Sequence, residues 1–263
     1  MTVKVALIQC EVSDADSAQH RRQKIRNLVL QAAGSGAQMV LLPELWPNGA
    51  FNVGAMSQQQ RGDFESFRAF ICDLAREAGV WLHGGSDTEV TADGQRYNTS
   101  ILADAAGVLV STYRKMHLWG GDAGEAAVLS AGEELLVVDS PLGTTGVTTC
   151  YELRFPELYR ALVDQGVMAY VVAAGWPVAR IEHWRVLAQA RAIENQAWLL
   201  AVNCVGTHDG VQMGGRSVVV SPQGAVIAEA SGDSEEILFA EVDSSAAEQW
   251  RAKFGWLKDR RSY

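Results

Sequence analysis

The sequence predicts an α/β protein in which two β-sheets carry helices on their outer sides within one domain, residues 1–263. Three observations lead there. Segments of strand period and helix period alternate from end to end. Their order is mixed: a βαβαβ stretch, a run of strands, a second βαβαβ stretch and a hairpin. No linker, low-complexity tract or internal repeat interrupts them.

Taken in order, Val3 to Ile8 alternates as a half-buried strand does, and Ile25, Leu28, Val29 and Ala32 follow at helical spacing. "AQMVLLPE" is a short continuous apolar run, the pattern of a strand covered on both faces. Phe64, Phe67, Ile71, Leu74 and Ala78 form a helical stripe that Gly79 stops. "VWLHGGS" reads as a strand. Tyr97 to Asp104 and Val108 to Lys115 read as an antiparallel pair turning at Ala-Ala-Gly. Glu134 to Asp139 and Thr144 to Cys150 form another pair, joined through Pro141-Leu142-Gly143. Pro156 suits the first position of a helix running to about Gln165, with Gly166 as its stop. "VMAYVVAAG" is a buried strand, "IEHWRVLAQARAIENQ" a helix with Trp184, Leu187, Ala188 and Arg191 on one side, and "AWLLAVNCV" a strand. "SVVVSPQGAVIAEA" is a hairpin turning at Pro222-Gln223-Gly224. "EEILFAEV" is a last strand before a short helix through Trp250 and Phe254.

Composition excludes several classes. At 48% hydrophobic and 20% charged residues the chain has ample material for a core. A net charge of −9, with no basic cluster longer than Arg260-Arg261, argues against nucleic acid. No apolar run approaches a membrane span and no secretory signal is visible. Four scattered cysteines, Cys10, Cys72, Cys150 and Cys204, suit reduced thiols in the cytoplasm. Neither they nor the five histidines show metal-ligand spacing, so no metal is expected.

The sequence has no G-x-S-x-G elbow, Walker loop or H-E-x-x-H motif. What stands out is three strand ends. "VLLPELW" puts Glu44 just after a buried strand, "STYRKMHLW" puts Lys115 at the end of another, and "GVTTCYE" puts Cys150 at the end of a third. Ligands in open α/β sheets bind at carboxyl ends of strands. A thiol can attack there, a carboxylate can take its proton, and an ammonium can hold the charge that develops on a carbonyl oxygen. Cys150 is also placed before a helix start, where a thiolate is favoured. Each residue has a plainer reading: Glu44 as a cap, Lys115 as a solvated strand end, Cys150 as a core thiol. His117 is the one histidine placed to tempt a Cys-His pairing, and the sequence leaves that open. Glu125 sits in the Gly-rich loop "LWGGDAGEAAVLSAG", either folded back toward Lys115 or on a mobile turn. That loop lacks the Lys-Ser/Thr ending of a phosphate cradle.

"LLPELW", "YRKMHLW" and "CYELRFPELYRAL" together resemble the three signature segments of the nitrilase superfamily of carbon–nitrogen hydrolases, and the resemblance spans nearly the whole chain. It implies a four-layer αββα sandwich, usually dimerised, with a Glu–Lys–Cys triad carried by Glu44, Lys115 and Cys150 and a second glutamate at Glu125. Tyr151 follows the cysteine, as in amidase branches, where nitrile-cleaving members typically have Trp; its backbone N–H is then an oxyanion donor. The segments are most similar to ω-amidases, with Glu152 in place of their usual Asp. The implied activity is cysteine-dependent hydrolysis of small linear amides through a thioester, without cofactor, by a homodimer. The alternatives are a nitrile or N-carbamoyl hydrolase of the same superfamily, or a catalytically silent binding protein. Trp46, Trp119 and Trp176 adjoin the signature segments and are expected either to wall the pocket or to fill core. Arg154 and Arg180 could hold a substrate carboxylate, or Arg154 could pair with Glu157 or another acid.

Overall fold

The structure, a computed structural model, describes residues 1–261. The chain runs β1 (Thr2–Gln9), β2 (Glu11–Ser13), α1 (Ala18–Gly34), β3 (Met39–Leu41), α2 (Val53–Gln58), α3 (Arg61–Ala78), β4 (Trp81–Val90), β5 (Arg96–Ala103) and β6 (Leu109–Arg114). It continues through β7 (Leu136–Ser140), β8 (Gly143–Thr149), α4 (Pro156–Asp164), β9 (Ala169–Ala173), α5 (Ile181–Asn195) and β10 (Trp198–Val202). It ends with β11 (Val205–His208), β12 (Val211–Gln212), β13 (Val218–Val220), β14 (Val226–Glu229), β15 (Glu236–Asp243) and α6 (Ala246–Lys253).

Two six-stranded sheets result, ordered β15-β1-β3-β4-β5-β6 and β14-β13-β10-β9-β8-β7. Side chains that alternate along each strand separate the layers. Val3, Val5 and Leu7 of β1 and Met39 and Leu41 of β3 share one apolar cluster with Ala169, Val171 and Ala173 of β9 and Leu200 and Val202 of β10. Those residues face each other between the sheets. The intervening Ala6, Ile8 and Val40 instead pack on Ile25 and Val29 of α1 and Phe64, Phe67 and Ile71 of α3. Tyr170 and Val172 likewise pack on Leu158 and Leu162 of α4 and Trp184 and Ala188 of α5. The order of layers is therefore α, β, β, α, as the resemblance implies.

Local chemistry sets the helix ends. Ser17 caps α1 by accepting the His20 N–H at 3.1 Å. Gly79, in the left-handed region at φ 65°, stops α3. Pro156 opens α4. Four short elements have no counterpart in the sequence reading: α2 and the small sheet of β12, β11 and β2. They are two to six residues long, too short for either period to register. Among the described residues no helix is long and apolar enough to cross a membrane.

The C-terminal ends of β3, β6 and β8 meet at one side of the sandwich. A buried carboxylate on β4 braces the loop that leaves β3 there. Asp87 Oδ1 accepts N–H groups from Thr88 (2.8 Å), Gln59 (3.0 Å) and Asn48 (3.1 Å). Burial pushes this carboxyl from 3.8 up to about 6, against those donors and Arg22. A carboxyl whose folded-state value exceeds its unfolded value holds its proton more tightly in the fold, so stability falls as pH rises from about 4 to about 6 and is level above that. Asp87→Asn keeps the accepting oxygen and removes the charge. Denaturant unfolding is expected to show it matching the wild type near pH 4 and exceeding it above pH 6 by on the order of 2–3 kcal/mol.

Candidate active site

Glu44, Lys115 and Cys150 each lie just past a strand, and the backbone is shaped to put them there. β3 hands over to Leu42-Pro43-Glu44, and Leu45 then turns with a φ of +46°. β4 passes so close beneath that a Cβ on Gly85 would stand 2.0 Å from the Pro43 carbonyl oxygen. Lys115 follows β6, its N–H donating to Asn98 O at 2.9 Å and its carbonyl accepting from Gly132 N at 2.8 Å. Cys150 follows β8 at a φ of +48°, opening a short helical turn to Arg154. A non-glycine residue in the left-handed region costs on the order of 1–2 kcal/mol and persists where its surroundings fix it.

The three side chains converge, and Glu125 joins them. Lys115 Nζ donates to Glu44 Oε1 at 2.7 Å and to Glu125 Oε1 at 2.5 Å. All three groups are buried. Glu125 is drawn in by the Gly120–Gly124 turn, and its Oε1 also accepts the Trp119 N–H at 3.1 Å. Glu44 Oε2 accepts Gly175 N–H at 3.0 Å. The Cys150 thiol donates to the Gly175 carbonyl oxygen at 3.8 Å, beside the Glu44 carboxylate that accepts the Gly175 N–H.

Burial would strip the proton from Lys115, but Glu125 and Glu44 outweigh it and hold the ammonium charged. Burial raises the Glu125 carboxyl, with Lys115 opposing. Burial and then Glu44 drive the Cys150 thiol well above its ordinary value, Lys115 only partly compensating. The sulfur is therefore a neutral thiol at rest. The expectation of a thiolate favoured by a helix start is corrected: the turn after Cys150 spans only Cys150–Arg154, and desolvation dominates.

Beside the thiol opens a cavity of about 460 Å³ lined by Cys150, Tyr151, Trp119, Trp176, Phe51, Gly175, Arg154, Arg180 and His183, among others. Trp176 forms an inner wall, its indole N–H held by Arg180 O at 2.8 Å. Trp119 packs on Phe51 with ring centroids 4.6 Å apart. Trp46 does not reach this cavity. Its indole N–H donates to Gly84 O at 2.9 Å and its ring packs on Phe67 and Phe70, so it is core beneath α3. Arg154 lies over the Trp176 ring at 4.6 Å, with Nη1 3.2 Å from His183 Nδ1. Among the described residues neither Arg154 nor Arg180 forms an ion pair, and Glu157 is no partner of Arg154. His117 stacks on Phe155 at 4.0 Å instead of serving the thiol. All four cysteines are unpaired. Among the described residues no group of three or more His, Cys, Asp or Glu is arranged to hold a metal.

Two contributors went unread in the sequence. Asn98 Nδ2 donates to Glu44 Oε1 at 2.8 Å and to Glu125 Oε2 at 3.3 Å, bridging the two carboxylates. Its signal was available: Asn98 alternates with Leu102, which faces the other sheet, so a polar residue there points between the sheets. Gly175 is the other. A Cβ there would stand 2.3 Å from the Ala50 Cβ, so only glycine lets the backbone approach Glu44.

The carbon-nitrogen hydrolase family profile matches residues 4–252. A 2-oxoglutaramate amidase of Paenarthrobacter nicotinovorans is 36% identical, the alignment covering 98% of this chain and 89% of the relative. Omega-amidase NIT3 of Saccharomyces cerevisiae is 31% identical over 98% of this chain and 93% of its own. The crystal structure of yeast Nit3, a member of branch 10 of the nitrilase superfamily, superposes with a TM-score of 0.88 at 28% identity, covering 99% of this chain and 97% of that one. An amidase mutant from Nesterenkonia sp. AN1, with the acetamide moiety of fluoroacetamide added covalently at its active-site cysteine, superposes with a TM-score of 0.84 at 27% identity over 96% of this chain and 95% of its own. A match that runs almost from end to end in sequence and in fold places the chain in the carbon-nitrogen hydrolase family of the nitrilase superfamily.

Proposed function

We propose that the chain is an amidase whose preferred substrates are short linear amides carrying a second, distal carboxylate, with 2-oxoglutaramate the first to try. One observation carries the reading: a cavity lined by the Cys150 thiol and by two arginines free of carboxylate partners opens beside an ammonium gripped by Glu44 and Glu125. The names of the relatives support the same substrate class.

The neutral thiol requires a base at the moment of attack. Glu44 takes the Cys150 proton as sulfur bonds to the amide carbon. The oxyanion is held by the Lys115 ammonium and by the N–H of Tyr151, one of the unsatisfied donors at the start of the turn. Glu44 returns the proton to nitrogen, the C–N bond breaks and ammonia leaves, giving a thioester on Cys150. Water then attacks the thioester, its proton passing to Glu44, and the acid and free thiol are restored. Glu125 keeps Lys115 aimed. Trp119 and Trp176 limit acyl size. Arg154, steadied by His183 and Trp176, takes the distal carboxylate, and Arg180 at the rim adds charge. Outside the site, exposed Val186 on α5 and Phe254 and Trp256 near the C-terminus offer apolar surface for pairing two copies, and the unpaired cysteines suit the cytoplasm.

Mass spectrometry of wild type quenched during turnover is expected to find an acyl adduct on Cys150, and Cys150→Ala to release ammonia at least about 1,000-fold more slowly; an unmodified Cys150 with full activity in the alanine variant sinks the proposal. Arg154→Ala is expected to raise KM for dicarboxylic monoamides by about 10- to 100-fold while leaving neutral amides of equal length unchanged, the loss of one charge-assisted hydrogen bond. Comparing kcat/KM for matched amide, nitrile and N-carbamoyl compounds is expected to favour the amide. Asn98→Ala is expected to cut kcat by about tenfold or more, because both glutamates lose a donor.

A further inference from the structure

Lys115 and Cys150 belong to different sheets. β6 is the last strand of the first sheet, and β8 lies one strand in from the edge of the second. No backbone ladder joins them, so strand pairing does not set how far the amine stands from the sulfur. Side chains span the gap: Ser100 Oγ of β5 lies 3.5 Å from Thr149 Oγ1 of β8, Glu44 Oε2 accepts the Gly175 N–H, and Glu152 ties the segment around Lys115 to the turn at Cys150. Glu152 is fully buried. Its Oε1 accepts from Tyr113 OH at 2.8 Å, Met116 N at 2.8 Å and His117 N at 3.2 Å. Its Oε2 accepts from Thr149 N at 2.7 Å. Tyr113, Met116 and His117 bracket Lys115, and Thr149 directly precedes Cys150. The Thr149 side chain in turn accepts the Glu152 backbone N–H, closing a ring around the left-handed Cys150.

We propose that Glu152 is a positioning residue: one carboxylate oxygen holds the segment carrying the amine and the other holds the strand end carrying the thiol, so that this side chain helps to fix the Lys115–Cys150 separation and the backbone turn at the sulfur. A carboxylate serves both ends. Four donors converge on its two oxygens, three at one and one at the other. A carboxamide offers a single accepting oxygen, so whichever way it is turned its NH₂ meets an N–H. An aspartate accepts at both oxygens but is one methylene shorter, so it holds the Thr149 side with the far donors at a stretch.

The proposal rests on the roles given above to Lys115 and Cys150. Their failure shows separately, as an acyl adduct missing from wild-type Cys150, whereas this proposal is read in variants that still acylate. Glu152→Gln, Glu152→Asp and Tyr113→Phe are to be compared with wild type by circular dichroism, by kcat and KM for one amide, and by counting the thiols that acylate, so that rates refer to competent sites. For Glu152→Gln, kcat per competent site is expected to fall about 100-fold with KM within about threefold, since misplacing a reacting group by an ångström costs about that much. Glu152→Asp is expected to recover at least about tenfold of this, and Tyr113→Phe, which removes one donor and collides with nothing, to lower kcat by about three- to tenfold. A merely structural Glu152 would lower the number of competent sites and leave kcat per site and KM unchanged; that result in a folded Glu152→Gln overturns the proposal. Should Glu152→Gln not fold, Tyr113→Phe decides, and wild-type kcat there overturns it equally.

Discussion

An ammonium sealed between two β-sheets costs several kcal/mol unless anions accompany it, and the architecture around Lys115 answers that cost. Two carboxylates come with it, and they need donors of their own. Asn98, Trp119 N–H and Gly175 N–H supply them. Those donors need backbone at close quarters, which explains the tight approach of Gly175 to Ala50 and the turn that folds Glu125 inward. Removing one member of such a buried set leaves an uncompensated charge and typically costs about 3–5 kcal/mol. The Lys115 cluster is therefore a stability element of the sandwich.

The same charge balance explains why the nucleophile waits as a thiol. Burial, and after it the Glu44 charge, holds the proton on Cys150, with Lys115 opposing only in part. In the proposed mechanism sulfur becomes nucleophilic as Glu44 takes the proton, and the negative charge moves on to an oxygen that Lys115 can meet. A free thiolate would compete with substrate for that ammonium. Keeping the charge latent leaves the electrostatic stabilisation for the transition state, where it accelerates the reaction.

Much of this was legible in the chain, and what was not has a common cause. Val3 to Ile8 was legible as a strand, though as a half-buried one; Val3, Val5 and Leu7 face the other sheet while Ala6 and Ile8 pack on the helices, so both faces are covered. The strand-end positions of Glu44, Lys115 and Cys150 follow from where apolar runs stop. Contacts between strands distant in sequence carry no such periodic mark. Asn98 and Glu152 act across a sheet and between sheets, so their partners emerge only with the register. Trp46 was misleading for a related reason. It stands two residues from Glu44, but the left-handed Leu45 between them turns the indole into the α3 layer. Adjacency in sequence said nothing about which face the ring would take.

The pairing of β15 with β1 has a bearing on how the protein comes into being. All eight residues of β1, Thr2 to Gln9, pair antiparallel with Glu236 to Asp243. During translation β1 emerges long before β15, so the N-terminal sheet has one flank open until β15 is made. Such a closure joins strands far apart in sequence, the situation in which folding is slow and bare strand flanks recruit neighbouring chains. The nascent polypeptide is thus most exposed to misassociation in the interval before β15 emerges, and chaperone engagement then would guard the amino-terminal half.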